Sequence, residues 1–272
     1  MRAILVTGCS TGIGHHAAHH LAARGWRVFA ACRRAEDCAT LRAEGLESPL
    51  IDYEDEATVA AGYAEVMEAT GGRLDALFNN GAYAIPGLVE DLPTDALRAI
   101  FEANLFGWHA LTRAAIPTFR AQGRGRIVQC SSVLGFAAMP WRGAYNATKF
   151  ALEGLTDTLR LEMRGTGIRV SLIEPGPITS RFRANAAAQF ERWIDWRASA
   201  RAADYAARLP RLASDAPARF ELGPEAVTAA LVHAVEAPRP RARYHVTTPT
   251  RLGAALKRAL PTAALDAVLA RN

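Results

Sequence analysis

Ala3-Ile-Leu-Val-Thr-Gly8-Cys-Ser-Thr-Gly-Ile-Gly14 is the stretch on which the fold of this chain turns. Ala3 to Val6 is a short apolar run that ends near a glycine, as a strand buried in a parallel sheet does. A helix-like stretch follows from Gly12 to Arg24, with Gly25 placed as its C-terminal stop, and a second strand runs from Arg27 to Cys32. Between strand and helix, glycines let the backbone turn sharply and approach a ligand, while the helix N-terminus meets it with positive potential. Gly8, Ser10, Thr11, Gly12, Ile13 and Gly14 are therefore expected to cradle a dinucleotide pyrophosphate.

Outward from this unit the strand–helix rhythm repeats. Pro49-Leu-Ile51, Leu74 to Asn80, Gly125 to Ser131 and Ile168 to Glu174 read as further strands, separated by alanine- and leucine-rich helical stretches. Such alternation predicts an α/β fold: a single Rossmann-type, doubly wound parallel sheet with helices on both faces. The whole of residues 1–272 reads as one domain, with a long insertion at about 180–222 and a C-terminal helical tail at about 251–272. Ligands on such sheets bind at the carboxyl ends of the strands, where the motifs of this chain fall.

The end of the second strand bears on the choice of cofactor. An acidic side chain about 20 residues past the glycine turn would hydrogen-bond a ribose 2′-hydroxyl and favour NAD. Here the sequence reads Ala31-Cys32-Arg33-Arg34. A thiol is a poor acceptor, whereas the Arg33 guanidinium can grip a 2′-phosphate with two hydrogen bonds, so NADP(H) is the expected cofactor. Asp52, after the third apolar run, is placed to accept from the adenine amino group. Asn80 and Gly81, in Asn79-Asn-Gly-Ala82, offer a tight backbone for the adenine ribose.

With Tyr145-Asn-Ala-Thr-Lys149 the chain resembles the short-chain dehydrogenase/reductase family of the Tyr-X-X-X-Lys type. The likeness runs in order through Thr7-Gly-X-X-X-Gly-Ile-Gly14, Asp52, Asn79-Asn80, Asn104, Ser131-Ser132, Tyr145/Lys149 and Pro175-Gly-Pro-Ile-Thr179. It is stronger toward hydroxysteroid and retinol dehydrogenase-like members and bacterial NADP-dependent aldehyde reductases, on Gly8-Cys-Ser, Phe150-Ala-Leu-Glu-Gly154, Ser171-Leu-Ile-Glu-Pro-Gly-Pro177 and Phe220-Glu-Leu-Gly-Pro-Glu-Ala226. One departure is visible: the family's usual Asn-Asn-Ala-Gly is Asn79-Asn80-Gly81-Ala82 here.

The residues suit carbonyl reduction, which needs a hydride on carbon and a proton on oxygen. Tyrosine's reference pKa of about 10 is too high for efficient proton transfer unless its phenolate is stabilised. Lys149, one helical turn after Tyr145, can supply that stabilisation and also hold the nicotinamide ribose. Family spacing selects Ser132 rather than Ser131 as the donor to the substrate oxygen, and alternation along a strand lets only one of the two face the site. The resemblance implies that Asn104 holds a water linking the lysine to solvent. It also implies that Pro175, Gly176, Ile178 and Thr179 contact the nicotinamide carboxamide, and that residues 180–222 fold over the substrate. The aromatics of that segment (Phe182, Phe190, Trp193, Trp196, Tyr205 and Phe220) imply a small apolar carbonyl or alcohol substrate: an aliphatic aldehyde, a retinoid or a steroid-like ketone.

Other readings are weighed against this one. Oxidation of a hydroxysteroid, retinol-like or other secondary alcohol is the rival reaction. A protein that senses NADP(H) without turnover is the rival class, and it has no need of an acid–base tyrosine. His15, His16, His19 and His20 form two i,i+4 pairs that could chelate a metal, but no carboxylate or thiol nearby is expected to complete a site, so they read as partly exposed helix residues and no metal is expected. Cys9, Cys32, Cys38 and Cys130 lack metal-ligand spacing and read as reduced, buried thiols. The net charge of +5 comes without a basic block interleaved with aromatics, so nucleic acid is not an expected partner. The basic, amphipathic tail from Arg251 offers a surface for peripheral membrane contact, although docking on the same subunit or a partner is the favoured expectation. No apolar run reaches the length of a spanning helix or a secretory segment, so a cytoplasmic homodimer or homotetramer is expected.

Overall fold

The computed structural model describes residues 1–212, 214 and 216–270. In chain order the elements are β1 (Ala3–Thr7), α1 (Gly12–Ala23), β2 (Arg27–Ala31), α2 (Ala35–Ala43), α3 (Glu56–Thr70), β3 (Ala76–Asn79), α4 (Thr94–Phe101), α5 (Gly107–Ala121), β4 (Gly125–Cys130), α6 (Gly143–Glu162), β5 (Ile168–Glu174), α7 (Phe182–Trp193), α8 (Ala202–Leu212), α9 (Glu225–Glu236), β6 (Arg243–His245), α10 (Thr248–Ala259) and α11 (Thr262–Leu269). Six parallel strands form one sheet in the order β2-β1-β3-β4-β5-β6. The order reverses beside β1, and that switch point opens a crevice at the carboxyl ends of β1 and β3.

Burial dictates the strands. All five residues of β1 are buried, as are all four of β3, because helices cover both faces of the sheet. The helices end where the sequence provides for it. Gly25 adopts φ +83° after α1. At α3 the Asp55 carboxylate accepts from the Ala57 amide at the start, and Gly71 closes the end in a left-handed conformation.

Two expectations about the sheet are corrected. Pro49-Leu-Ile51 is not a strand; it makes one isolated bridge, Cys32 with Leu50. Pro49 has no amide to donate, and the chain turns at once through Asp52 to Asp55 into α3, which leaves no length for a ladder. The strand missing from the sequence reading is β6, whose Arg-Tyr-His is too short and polar to stand out as an apolar run.

The interior divides in two. The larger apolar cluster fills both faces of the sheet, from Ile4 and Leu5 through Trp108 and Phe119 to Leu231. Each fully buried aliphatic side chain there contributes about 1.5–3 kcal/mol. A smaller cluster sits above the strand ends and joins Tyr83, Ile85, Ile100 and Tyr145 to Ala186, Phe190, Ile194 and Tyr205 of the α7–α8 region. Among the described residues, only Phe101 packs against both. The insertion is thus two helices whose Phe190 and Tyr205 are core residues, while Phe220 is exposed. The C-terminal tail is also two helices. α10 docks on the same chain, where Lys257 donates to the Phe136 carbonyl at 2.5 Å, whereas α11 buries no side chain.

Candidate active site

The glycine turn joins two strand ends by backbone contact. Gly8 (φ +67°) lies so close to Gly81 that a Cβ on it would stand 2.5 Å from the Gly81 Cα. A Cβ on Gly14 would stand 2.3 Å from the Gly8 carbonyl oxygen. Asn80 holds the junction: its side-chain amide donates to the Thr7 carbonyl at 3.1 Å, and its backbone amide donates to the Thr7 hydroxyl at 2.9 Å. The exchanged Gly81-Ala82 order is mild in its effect, since a Cβ at residue 81 would come no nearer than 3.3 Å to Gly8. Ser10, Thr11 and Ile13 lie on this turn or at the first turn of α1, so the expected pyrophosphate cradle is brought together.

At the end of β2, Cys32 is 2% exposed, and burial beside Cys38 pushes its thiol up to about 12. It is thus a neutral, enclosed group. Arg33 is exposed and makes no ion pair among the described residues, whereas Arg34 is committed to Asp37 and Glu36. Arg33 lies within electrostatic reach of Glu54, yet of the two arginines it is the one without an ion pair among the described residues. Asp52 stands in the turn before α3, with its carboxylate accepting from the Glu54 amide.

Tyr145 and Lys149 lie one turn apart on α6, in the buried set Tyr145, Thr148, Lys149, Leu152 and Thr156 that faces the sheet. Lys149 is 1% exposed. Its ammonium donates to the Cys130 carbonyl at 2.9 Å and sits 4.1 Å from the centre of the Trp108 ring and 5.6 Å from that of Tyr145. Burial drives the lysine down to about 8, although Cys130 and Glu153 oppose the shift. Burial also raises the Tyr145 phenol well above its ordinary range; the Cys130 thiol acts in the same direction and the Ser132 hydroxyl in the other. The Phe182 ring meets Tyr145 edge-on at 5.4 Å.

The two serines differ in their surroundings. The Ser131 hydroxyl is buried near Gly135 and Glu153 and has no hydrogen-bond partner, while Ser132, at the start of a 3-10 turn, stands beside the tyrosine. Asn104 is fully buried in a π-helical turn, Glu102–Phe106, between α4 and α5. Its side chain accepts from the Tyr83 amide at 3.1 Å and donates to the Tyr83 carbonyl at 2.8 Å. Wide turns of this kind are rare inside helices and frequent at functional sites.

After β5, the Pro175 carbonyl accepts from Val133 at 2.8 Å, and Gly176 is packed so tightly on Thr247 that no side chain fits there. Ile178 bridges Leu222. The Thr179 hydroxyl donates to Glu221 at 2.9 Å, so of this segment it is the side chain already committed within the chain. Just upstream, Glu174 is wholly buried against Arg243 (3.0 Å) and His245. Burial and the nearby Glu153 raise its carboxyl above the ordinary range, and the cluster anchors the strand end from which the Pro175 segment departs.

Two contributors escape the sequence reading. Trp108 floors the lysine and donates to the Gly81 carbonyl at 2.8 Å; its i,i+4 spacing from Asn104 is the signal that could have found it. The Tyr53 hydroxyl lies 2.7 Å from both Thr7 and Asn79, which braces the ends of β1 and β3, and nothing local announces it. The histidine reading also needs correction. No carboxylate adjoins His15 and His19 in sequence, yet folding sets Glu44 against both of them. The four cysteines are free and buried, as expected. Among the described residues, no helix is long and apolar enough to cross a membrane.

The residues fit a nicotinamide dinucleotide. Glycines stand where side chains would block the turn and, among the described residues, a buried ammonium has one hydrogen-bond acceptor for its three protons and Arg33 makes no ion pair. Comparison with known proteins agrees. The family description "short chain dehydrogenase" matches residues 2–191. The uncharacterized oxidoreductase YbbO of Escherichia coli is 38% identical over 268 residues, which cover 98% of this chain and 94% of that protein. Human 17-beta-hydroxysteroid dehydrogenase type 1 is 32% identical, over 90% of this chain and 77% of its own length. Among solved structures, a short chain dehydrogenase/reductase from Burkholderia phymatum in complex with NAD superposes with a TM-score of 0.78 at 25% identity, covering 94% of this chain and 92% of that one.

Proposed function

Since the chain belongs to the short chain dehydrogenase family, and is thus an oxidoreductase that uses a nicotinamide cofactor, we propose that it reduces an apolar aldehyde or ketone with NADPH. The observation that carries this reading is the Tyr145 phenol: enclosed, set beside Ser132 and Lys149, and walled by the smaller apolar cluster. Bound NADPH supplies the hydride. Ser132 donates to the substrate oxygen, holding it against Tyr145 and stabilising the charge that develops there. Tyr145 gives that oxygen its proton. Because burial raises the phenol, it stands protonated across the neutral range, which is the form a reductase needs. Lys149 stabilises the phenolate that remains, and its other protons would hold the nicotinamide ribose hydroxyls of the bound cofactor. Asn104 fixes the Tyr83 backbone and shapes the wall behind the lysine.

Arg33 supports NADP(H) over NAD(H), since an exposed guanidinium, without an ion pair among the described residues, follows a neutral thiol where an acid would favour the 2′-hydroxyl. NADPH is expected to bind at least about tenfold tighter than NADH, a difference of about 1.4 kcal/mol. Fluorescence titration of both cofactors checks this. Equal affinities, or an unchanged preference in Arg33→Ala, would refute it.

The helices α7 and α8 are read as the cover of an apolar pocket. Across a series of linear aldehydes, kcat/KM should rise by up to about fourfold per added carbon, from about 0.8 kcal/mol per buried methylene, until the pocket is filled. Phe182→Ala should flatten the series, because Phe182 is the cover residue against Tyr145. A flat profile in the unaltered enzyme would leave α7 and α8 as packing alone. Likeness to the human 17-beta-hydroxysteroid dehydrogenase supports a second reading, oxidation of a secondary alcohol in the same pocket. Assembly into a homodimer or homotetramer is part of the proposal, supported by exposed Phe106, Phe150, Leu155 and Leu161.

A further inference from the structure

Away from the strand ends, α1 presents His15 and His19 on one stripe, and the residue that ends α2 reaches both. The Nε2 atoms of His15 and His19 lie 3.0 Å and 2.7 Å from the same carboxylate oxygen, Oε2 of Glu44. The three potential ligand atoms all fall within 4.8 Å of one another. Bonds of about 2.0–2.2 Å from zinc to imidazole nitrogen or carboxylate oxygen place two ligands on one ion roughly 2.8–3.5 Å apart. One nitrogen–oxygen separation is already in that range and the other is just short of it. The three ligand atoms as a set spread over up to 4.8 Å, so an ion enters once the imidazoles turn in toward it and their hydrogen bonds to Glu44 are given up.

We propose that His15, His19 and Glu44 bind one divalent transition-metal ion of the zinc class, with water completing its coordination. Two imidazoles and a carboxylate suit zinc, cobalt or nickel, whereas calcium and magnesium prefer sites made of oxygen alone. The side chains are 37%, 40% and 35% exposed, so the ion is reached from solvent and its remaining positions stay wet. The neighbouring stripe is distinct: His16 is engaged by the Thr228 hydroxyl at 2.8 Å and stacks on His20. The bound ion ties α1, which opens at Gly12 and Gly14, to the far end of α2, which begins just after Arg33 and Arg34. It acts as a cross-link between the two segments that flank the cofactor's phosphates and takes no part in hydride transfer.

The test uses untagged full-length protein stripped with chelator, titrated with Zn²⁺ by calorimetry and with Co²⁺ by visible absorption. One ion per chain is expected, with a rise in melting temperature on binding. His15→Ala and His19→Ala should each weaken binding by at least roughly tenfold, and Glu44→Gln should weaken it as well. His16→Ala and His20→Ala should leave it nearly unchanged. NADPH binding by each variant reports that it is folded. Absence of saturable binding below millimolar metal, full affinity in both His15→Ala and His19→Ala, or an equal loss in the His16 and His20 variants would overturn the assignment.

Discussion

Tyr145→Phe is expected to lower kcat by about 10²–10⁴-fold while NADPH affinity stays within roughly twofold. Phenylalanine keeps the ring, and so keeps the edge contact with Phe182 and the packing of the smaller apolar cluster. What it removes is the phenolic proton that, on the proposed reading, passes to the substrate oxygen. Ser132 cannot replace it, because giving up its proton would leave an alkoxide far more costly than a phenolate in the same surroundings. The measurement is single-turnover NADPH consumption with a saturating aldehyde, beside a fluorescence titration of cofactor. Retention of a large fraction of turnover would place the proton elsewhere and end the assignment of Tyr145.

The second large effect has two signs. Lys149→Met should cost roughly 10²-fold or more in kcat/KM and weaken cofactor binding, yet raise the stability of the cofactor-free protein at neutral pH. The lysine is held near 8 in the folded chain, below its ordinary 10.5, because burial opposes the charged form. Below about pH 8 both folded and unfolded lysine are protonated, and the full cost of the buried charge is present. Between about 8 and 10.5 the unfolded chain binds the proton and the folded chain does not, so stability rises with pH there. The methionine variant should therefore be more stable than the parent by about 1–3 kcal/mol near neutrality, allowing for the lost contacts to Cys130 and Trp108, and the gap should close by about pH 10. Denaturant melts at several pH values check it. A variant less stable at neutral pH would mean that those contacts outweigh the desolvation.

What could be read from sequence was what local periodicity controls. Tyr145 and Lys149 share a face because a helix repeats every 3.6 residues, whereas Ser131 and Ser132 lie just past the end of β4, where strand alternation no longer governs them. The glycine turn was legible because only glycine tolerates its backbone contacts. Trp108 and Tyr53 were not, since their partners Gly81 and Thr7 lie 27 and 46 residues away and only the parallel sheet brings them together. Glu44 escaped for the same reason: it stands 25 residues from His19, and no spacing rule crosses a strand. The false third strand shows the converse limit. Of the three residues headed by a proline, Pro49 and Ile51 are buried while Leu50, which bridges Cys32, is exposed, and an apolar run alone does not make a ladder.

The division of the interior into two apolar clusters has a consequence for inheritance. The family match stops at residue 191, two residues short of the end of α7, while Ile194 and Tyr205 of the upper cluster lie beyond it. The lower cluster holds Trp108 and adjoins the glycine turn fitted to the cofactor. The upper one surrounds Tyr145, on the side where the proposed substrate would lie. With Phe101 the one described side chain packed against both, substitutions in α7 and α8 are expected to be accommodated within their own layer. Substitutions in the upper layer of this chain are therefore expected to change substrate choice while leaving cofactor binding in place. Lys149, set between the Trp108 ring below and the Tyr145 ring above, is the hinge of that contract: both layers must accommodate it, so neither can drift far at its edge.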